Sequence, residues 1–290
     1  MSIDFGEYVS RRKSGIVGER GGDHYAFSGD LKLLKKMRTL KPIELAVAST
    51  VRLGKGVVAG DLLGTAVKVG PNQYPRVYNI AKSCADTLGI PMPMVFVQGR
   101  FDSINAMTMG TDRDSVIIIH SVTLDYLDDE ELKFVIGHEC GHIQNGHMVY
   151  LTAMRILTQI AGAMFGWFVQ PALIALQSWS RAAEITCDRA GLLCCGDLEV
   201  GTRAFLKLVT GSKSLFDQLN VKQFLDQLRE GREGIGRAAE LTKSHPYLTK
   251  RIESLRLFAE SDVYRTARGL PGGIPLADVD KSVEDVVKVF

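Results

Sequence analysis

The sequence predicts an α+β fold that is predominantly helical, with one small sheet. Two observations carry this. Long stretches space their apolar residues at helical intervals. Between positions 94 and 119, by contrast, three short apolar or β-branched runs crowd together, which suits a small sheet rather than more helix. With 290 residues, 46% apolar and 23% charged, the chain can bury a core without staples.

The elements follow in order. Asp30 to Leu40 places Leu31, Leu33, Leu34, Met37 and Leu40 at helical spacing, opposite a basic face of Lys32, Lys35, Lys36 and Arg38. That face is expected to be solvated rather than to bind lipid or a partner. Leu45 to Val69 is weakly apolar and Gly-punctuated and yields no assignment. Tyr74 to Leu88 reads as an amphipathic helix ended by Gly89 and Pro91. Met94 to Val97, Ile104 to Met109 and Val116 to Ile119 read as strands. Asp128, with Glu131 three residues on, forms a capping box that opens the next helix. Further helices are expected over Arg203 to Val209, Leu215 to Leu228 and Tyr247 to Ala259, then a turn at 269–275. Leu276 to Phe290 is expected to be a final amphipathic helix docked on the same domain. The chain thus divides into a basic N-terminal segment (1–70), a main domain (71–262), and a linker with a C-terminal helix (263–290).

Composition narrows the function. Lys plus Arg is 35 and Asp plus Glu 33, a net charge of +2, which argues against a nucleic-acid binder. Five cysteines (Cys84, Cys140, Cys187, Cys194 and Cys195) are an odd number with no C-x-x-C pair. That is not a disulfide framework, so a reducing compartment is expected. The polar start, Met1 to Glu7, shows no signal peptide, so a cytoplasmic location is expected.

The chemistry lies in the helix opened by Asp128. Residues 138 to 142 read His-Glu-Cys-Gly-His. Residues four apart on a helix share a face, so His138 and His142 can offer two imidazoles to one metal ion. Glu139 beside them can act as general base, the H-E-x-x-H arrangement of zinc peptidases. A third ligand must come from elsewhere. Asn145 and Met148 stand where metzincins need Gly and His, so that class is disfavoured. His147 is half a turn out of phase with His138 on a straight helix and joins the site only if the helix breaks; a cap or surface contact is expected instead. Glu184 and Asp188 share a face in a small-residue-rich helix. Glu184 is the candidate ligand. Asp188 is the candidate acceptor for the N–H of a ligand histidine. Cys140 lies about 200° round the helix from His138 and Cys187 is also read as a small core residue.

These residues together resemble the HtpX-like metallopeptidase family, which includes the CaaX prenyl-protein endopeptidases. The likeness runs from about Tyr74 to Leu255. It includes Ser103-Ile-Asn105-Ala106, the stretch from Val122 to Leu132, the H-E-x-x-H helix, Glu184 with Asp188, Ser244-His245-Pro246 and Arg251-Ile252. The resemblance implies a zincin-like domain with a small sheet beside the H-E-x-x-H helix. It implies one Zn2+ per chain, held by His138, His142 and Glu184, with Glu139 as base and protein or peptide substrates. It places Asn105 and Ala106 on an edge strand that pairs with an extended substrate, and His245 near the reaction centre. Arg251 reads as an ion-pair partner.

Many relatives of this kind carry transmembrane helices, and here the pattern departs. Ile156 to Leu176 carries no charge but is interrupted by Gln159, Gln170 and Pro171. If Glu184 shares a metal with His138, the chain returns to its starting side. Two passes need about 40 apolar residues, and only 36 residues separate His147 from Glu184. A helical hairpin is expected, buried in the protein or a partner or dipping into a membrane face, with 148–178 as the candidate for peripheral membrane contact.

Overall fold

A computed structural model describes residues 21–37, 43, 64–100, 103–110, 115–161, 166–230 and 248–288. Its elements, in chain order, are α1 (Ser28–Met37), β1 (Val67–Lys68), α2 (Pro75–Leu88), β2 (Met94–Gln98), β3 (Ala106–Met109), β4 (Val116–His120), α3 (Ser121–Tyr126), α4 (Asp129–Gln144), α5 (Met148–Ala161), α6 (Gly166–Cys195), α7 (Leu198–Thr210), α8 (Lys213–Phe216), α9 (Val221–Glu230), α10 (Leu248–Ala259), α11 (Asp262–Ala267) and α12 (Leu276–Val287). The fold is α+β and mostly helical, as the periodicity predicts.

The sheet has the order β1-β2-β4-β3. β2 and β4 run parallel, from Met94 opposite Val116 to Gln98 opposite His120. β1 and β3 flank them antiparallel. Strand alternation sorts the side chains onto two faces. Val95, Val97, Ile117 and Ile119 join the main helical core with Ile80, Cys84, Leu132 and Ile136. Phe96, Val116 and Ile118 cluster on the other face with Met94, Met107 and Met109. The two methionines of β3 therefore pack against this second cluster. β1 lies where the sequence pattern permitted no assignment; its two exposed residues carry no hydrophobic alternation to read.

Local signals explain the helix boundaries. The Asp128 carboxylate accepts the Glu131 N–H and the Glu131 carboxylate accepts the Asp128 N–H, the capping box read from sequence. Asp197 caps α7 by accepting from the N–H groups of Glu199 and Val200. The helix expected over Leu215 to Leu228 is instead two helices. Asn220 accepts the Gln223 N–H and starts α9 afresh, a capping alternative to helix continuation.

The apolar stretch after His147 forms α5 and the first part of α6. Val149, Tyr150, Ala153, Leu157, Leu173, Leu176 and Trp179 are buried against Leu34 and Met37 of α1. The hairpin thus finds cover within the chain. Among the described residues, no helix is long and apolar enough to cross a membrane. On the basic face of α1, Lys32, Lys35 and Lys36 are exposed, and Lys32 pairs with Glu284 of α12 at 2.6 Å; Arg38 lies outside the described residues. α12 docks through Val279 and Val283 on Phe27, Ala182 and Ile185, away from the H-E-x-x-H residues.

Candidate active site

α4 and α6 approach closely because their facing residues are small. A Cβ on Gly141 would sit 2.8 Å from the Ala190 Cβ and 3.1 Å from the Cys187 Cα. One on Gly191 would meet the Phe134 carbonyl at 2.7 Å. This lack of side chains brings the H-E-x-x-H face of α4 within reach of Glu184 on α6.

The sequence-derived residues meet there. His138 Nε2 is 3.5 Å from Glu184 Oε2, and His142 Nε2 is 3.5 Å from Glu184 Oε1. All three are buried. His138 Nδ1 donates to Asp188 Oδ1 at 2.9 Å. Arg251 donates from Nε and Nη2 to the two Asp188 oxygens at 2.8 and 2.5 Å, lies 3.3 Å from Glu184 Oε2, and stacks over the Phe205 ring. Burial disfavours charge on His138, yet the Asp188 and Glu184 carboxylates outweigh it and hold the ring above its ordinary pKa.

This donor set suits a metal cation. His138 donates its Nδ1 hydrogen to Asp188, so a neutral ring turns an Nε2 lone pair toward a Glu184 oxygen, another electron-rich atom. A cation between them removes that repulsion. Two imidazoles and one carboxylate leave a position for water or substrate, the pattern of catalytic rather than structural zinc sites. His138, His142 and Cys187 also place ligand atoms within 4.8 Å of one another. The Cys187 Sγ lies 3.6 Å from His147 Nδ1, whereas Glu184 sets one oxygen 3.5 Å from each imidazole Nε2. Glu184 is the better third ligand on this ground.

The base candidate is held by a residue the sequence reading missed. Thr108 on β3 donates its hydroxyl to Glu139 Oε2 at 2.5 Å. β3 is an edge of the described sheet and packs beside α4. The Asn105 N–H and C=O are both used internally, by the Thr123 hydroxyl and the His120 N–H. Antiparallel alternation then turns the backbone groups of Ala106 and Thr108 to the open edge. Of the predicted pair, Ala106 faces outward and Asn105 inward. His245 lies outside the described residues.

The comparisons with known proteins agree with this arrangement. The family model for peptidase family M48 matches residues 71–259. The chain belongs to that family of metallopeptidases. The chloroplastic plastoglobule-localized metallopeptidase 48 of Arabidopsis thaliana is 36% identical over 171 residues, 58% of this chain and 49% of its own. A protease HtpX homolog of Tropheryma whipplei is 35% identical over 85 residues, 29% of each chain. Protease HtpX of Haemophilus ducreyi is 26% identical over 224 residues, 63% of this chain and 74% of its own. The chain thus spans about half the length of the Arabidopsis relative and under a third of the Tropheryma one. No solved structure matches it.

His147 requires a correction. It is no surface contact but fully buried, and it caps through its backbone alone: its carbonyl accepts the Tyr150 and Leu151 N–H groups at the start of α5. α4 ends in a Schellman motif: the His147 N–H bonds to the His142 carbonyl, the Gly146 N–H to the Ile143 carbonyl, and Gly146 has φ 64°. The chain therefore leaves the helix axis, and His147 Nδ1 comes 3.1 Å from His142 Nδ1. Asn145-Gly146 after an apolar helical run was the available signal.

Proposed function

We propose that this M48 chain is a zinc-dependent endopeptidase that cleaves extended or unfolded protein segments. The convergence of the His138 and His142 Nε2 atoms on the two oxygens of one buried Glu184 carries the reading. His138, His142 and Glu184 would hold the metal. When bound, zinc supplies Lewis acidity, polarising a carbonyl and making water easier to deprotonate at neutral pH. Glu139 removes the proton from the attacking water and passes it to the leaving amine. Asp188 keeps the His138 Nε2 free of hydrogen by binding its Nδ1–H, and Arg251 holds Asp188 in turn. An extended substrate adds to β3 and pairs with the outward backbone groups of Ala106, while Asn105 shapes the strand from inside. His245 is assigned to oxyanion stabilisation by the resemblance alone.

Peripheral membrane contact through 148–178 belongs to the same reading. It is supported by the exposed Ile174 on α6, 56% accessible, and by the name of the plastoglobule-localized relative.

The test pairs zinc content with casein cleavage for wild type and Glu139→Gln. One zinc per chain in both, with cleavage by wild type only, is expected. Cleavage by Glu139→Gln at the wild-type rate would remove Glu139 from the role of base.

A further inference from the structure

The N-terminal helix α1 precedes the region matched by the family model, yet it sends a carboxylate into the interior behind the metal-binding face. Asp30 is fully buried. Its Oδ1 accepts the Trp179 indole N–H at 2.7 Å. Its Oδ2 accepts the Thr186 hydroxyl at 2.9 Å and the His147 Nε2–H at 3.0 Å. Burying an ionised carboxylate so deeply is costly unless every oxygen is met by a donor, and these donors converge from α5's entry and from α6. Apolar contacts of Leu34 and Met37 already hold α1 in place. Docking alone therefore gives no reason for an acid at position 30.

The order of donors and acceptors supplies one. A carboxylate only accepts, so His147 carries its hydrogen on Nε2. A neutral His147 then presents a lone pair on Nδ1, which lies 3.1 Å from His142 Nδ1. Two lone pairs cannot face each other at that distance, so His142 carries its hydrogen on Nδ1. Its Nε2 is thereby left bare, and that is the atom facing Glu184. The Cys187 thiol, 3.6 Å from His147 Nδ1, is a weak donor that competes for the same lone pair without reversing the order.

We propose that Asp30 and His147 are positioning residues for His142: Asp30, through His147, fixes the tautomer and ring orientation that turn His142 Nε2 toward the metal. Both ligand histidines then end on a carboxylate. His138 reaches Asp188 directly, and His142 reaches Asp30 through a second imidazole. Helix α1 is part of the metal site rather than an appendage to it. This rests on the metal-site reading above.

The experiment uses the full chain and measures the zinc dissociation constant by competition with a chromophoric chelator, alongside melting of the zinc-free protein. Outer partners of ligand histidines typically govern 10–100-fold in metal affinity. Asp30→Asn and His147→Leu are expected to weaken zinc by about that factor. His147→Gln restores most of it, because its amide oxygen can accept from His142 and its NH2 can donate to Asp30. Ile80→Ala, which truncates the core at α2 and bonds to neither Asp30 nor His147, is expected to lower the melting temperature while leaving zinc affinity near wild type. Histidine 15N spectra of the zinc-loaded wild type need no variant to fold: they should show His147 with Nε2–H and His142 with Nδ1–H. Wild-type zinc affinity in Asp30→Asn and His147→Leu overturns the proposal, as does an Nδ1–H tautomer of His147. Absence of tight zinc binding by wild type, or its persistence in His138→Ala, overturns the metal-site reading itself, and the proposal with it.

Discussion

At the scale of single residues, the Thr108 hydroxyl decides where Glu139 points. A base helps only when it is within reach of the proton it removes. The 2.5 Å bond to Thr108 holds one Glu139 oxygen against β3, where an added substrate strand would lie. Thr108→Val preserves shape and strand preference but removes the donor. Hydrogen bonds to charged groups are worth about 1.5–3 kcal/mol, and each 1.36 kcal/mol is tenfold in rate. Turnover of a peptide substrate is therefore expected to fall about tenfold or more, with zinc content unchanged. Unchanged turnover would show that Glu139 needs no help from Thr108. The thiols tell a matching story about reactivity. Burial pushes Cys140 and Cys187 up, and Cys195 to about 11. With Cys195 only partly buried and the other four buried, alkylating reagents at pH 7.5 are expected to label the folded protein slowly, and at Cys195 first. Mass spectrometry of the labelled peptides reads the order; prior labelling at Cys187 would show that the metal-site interior opens.

At the scale of elements, the pairing of α4 with α6 is what turns two sequence motifs into one site. Both motifs were legible because four-residue spacing is a local property of a helix: His138 with His142, and Glu184 with Asp188. The capping box and the three main strands were legible for the same reason. The contributions of Asp30 and Thr108 were not, since each meets its partner only after distant segments pack; Arg251 was read as an ion-pair partner, but which carboxylates it meets was not. His147 was misplaced by a specific assumption, that α4 continues straight past Asn145. The closeness of α4 and α6 is testable through Gly141. Gly→Ala in a helix gains about 1 kcal/mol in propensity. Against that, the new methyl would overlap Ala190 and crowd the Cys187 backbone, and such overpacking costs about 1–3 kcal/mol. Because backbone lies in the way, the steric cost is expected to win. Gly141→Ala should melt lower and hold zinc more weakly, as α6 shifts and carries Glu184 away from the histidines. A variant that melts higher with unaltered zinc affinity would show that the two helices part freely.

At the scale of the molecule, the first and last described helices meet on α6 one residue beyond Asp188. Arg189 is fully buried; it donates from Nη2 to Asp280 Oδ1 of α12 at 2.7 Å and from Nη1 to the Tyr25 carbonyl at 3.0 Å. Its guanidinium lies over the rings of Phe27 and Phe258. The other Asp280 oxygen accepts the Ser28 N–H at 2.9 Å, at the start of α1. One buried ion pair therefore ties the first and last described helices to the helix that carries Glu184 and Asp188. Removing a single partner of such a pair strands a charge in a dry site and costs about 3–5 kcal/mol, whereas replacing both with apolar groups is often neutral or better. Asp280→Leu is expected to lose roughly that amount in urea unfolding. Arg189→Met with Asp280→Leu should recover most of it. The recovery separates a charge effect from a packing effect, because the double variant loses the same contacts but strands no charge. If the double variant unfolds as readily as Asp280→Leu, the specific hydrogen bonds to Tyr25 and Ser28 hold these helices, and the ion pair is incidental. Zinc affinity read on the same samples links the scales: Arg189 and Asp188 share one turn of α6, so the variant that loosens these helices should also loosen the metal site, and the double variant should tighten it again.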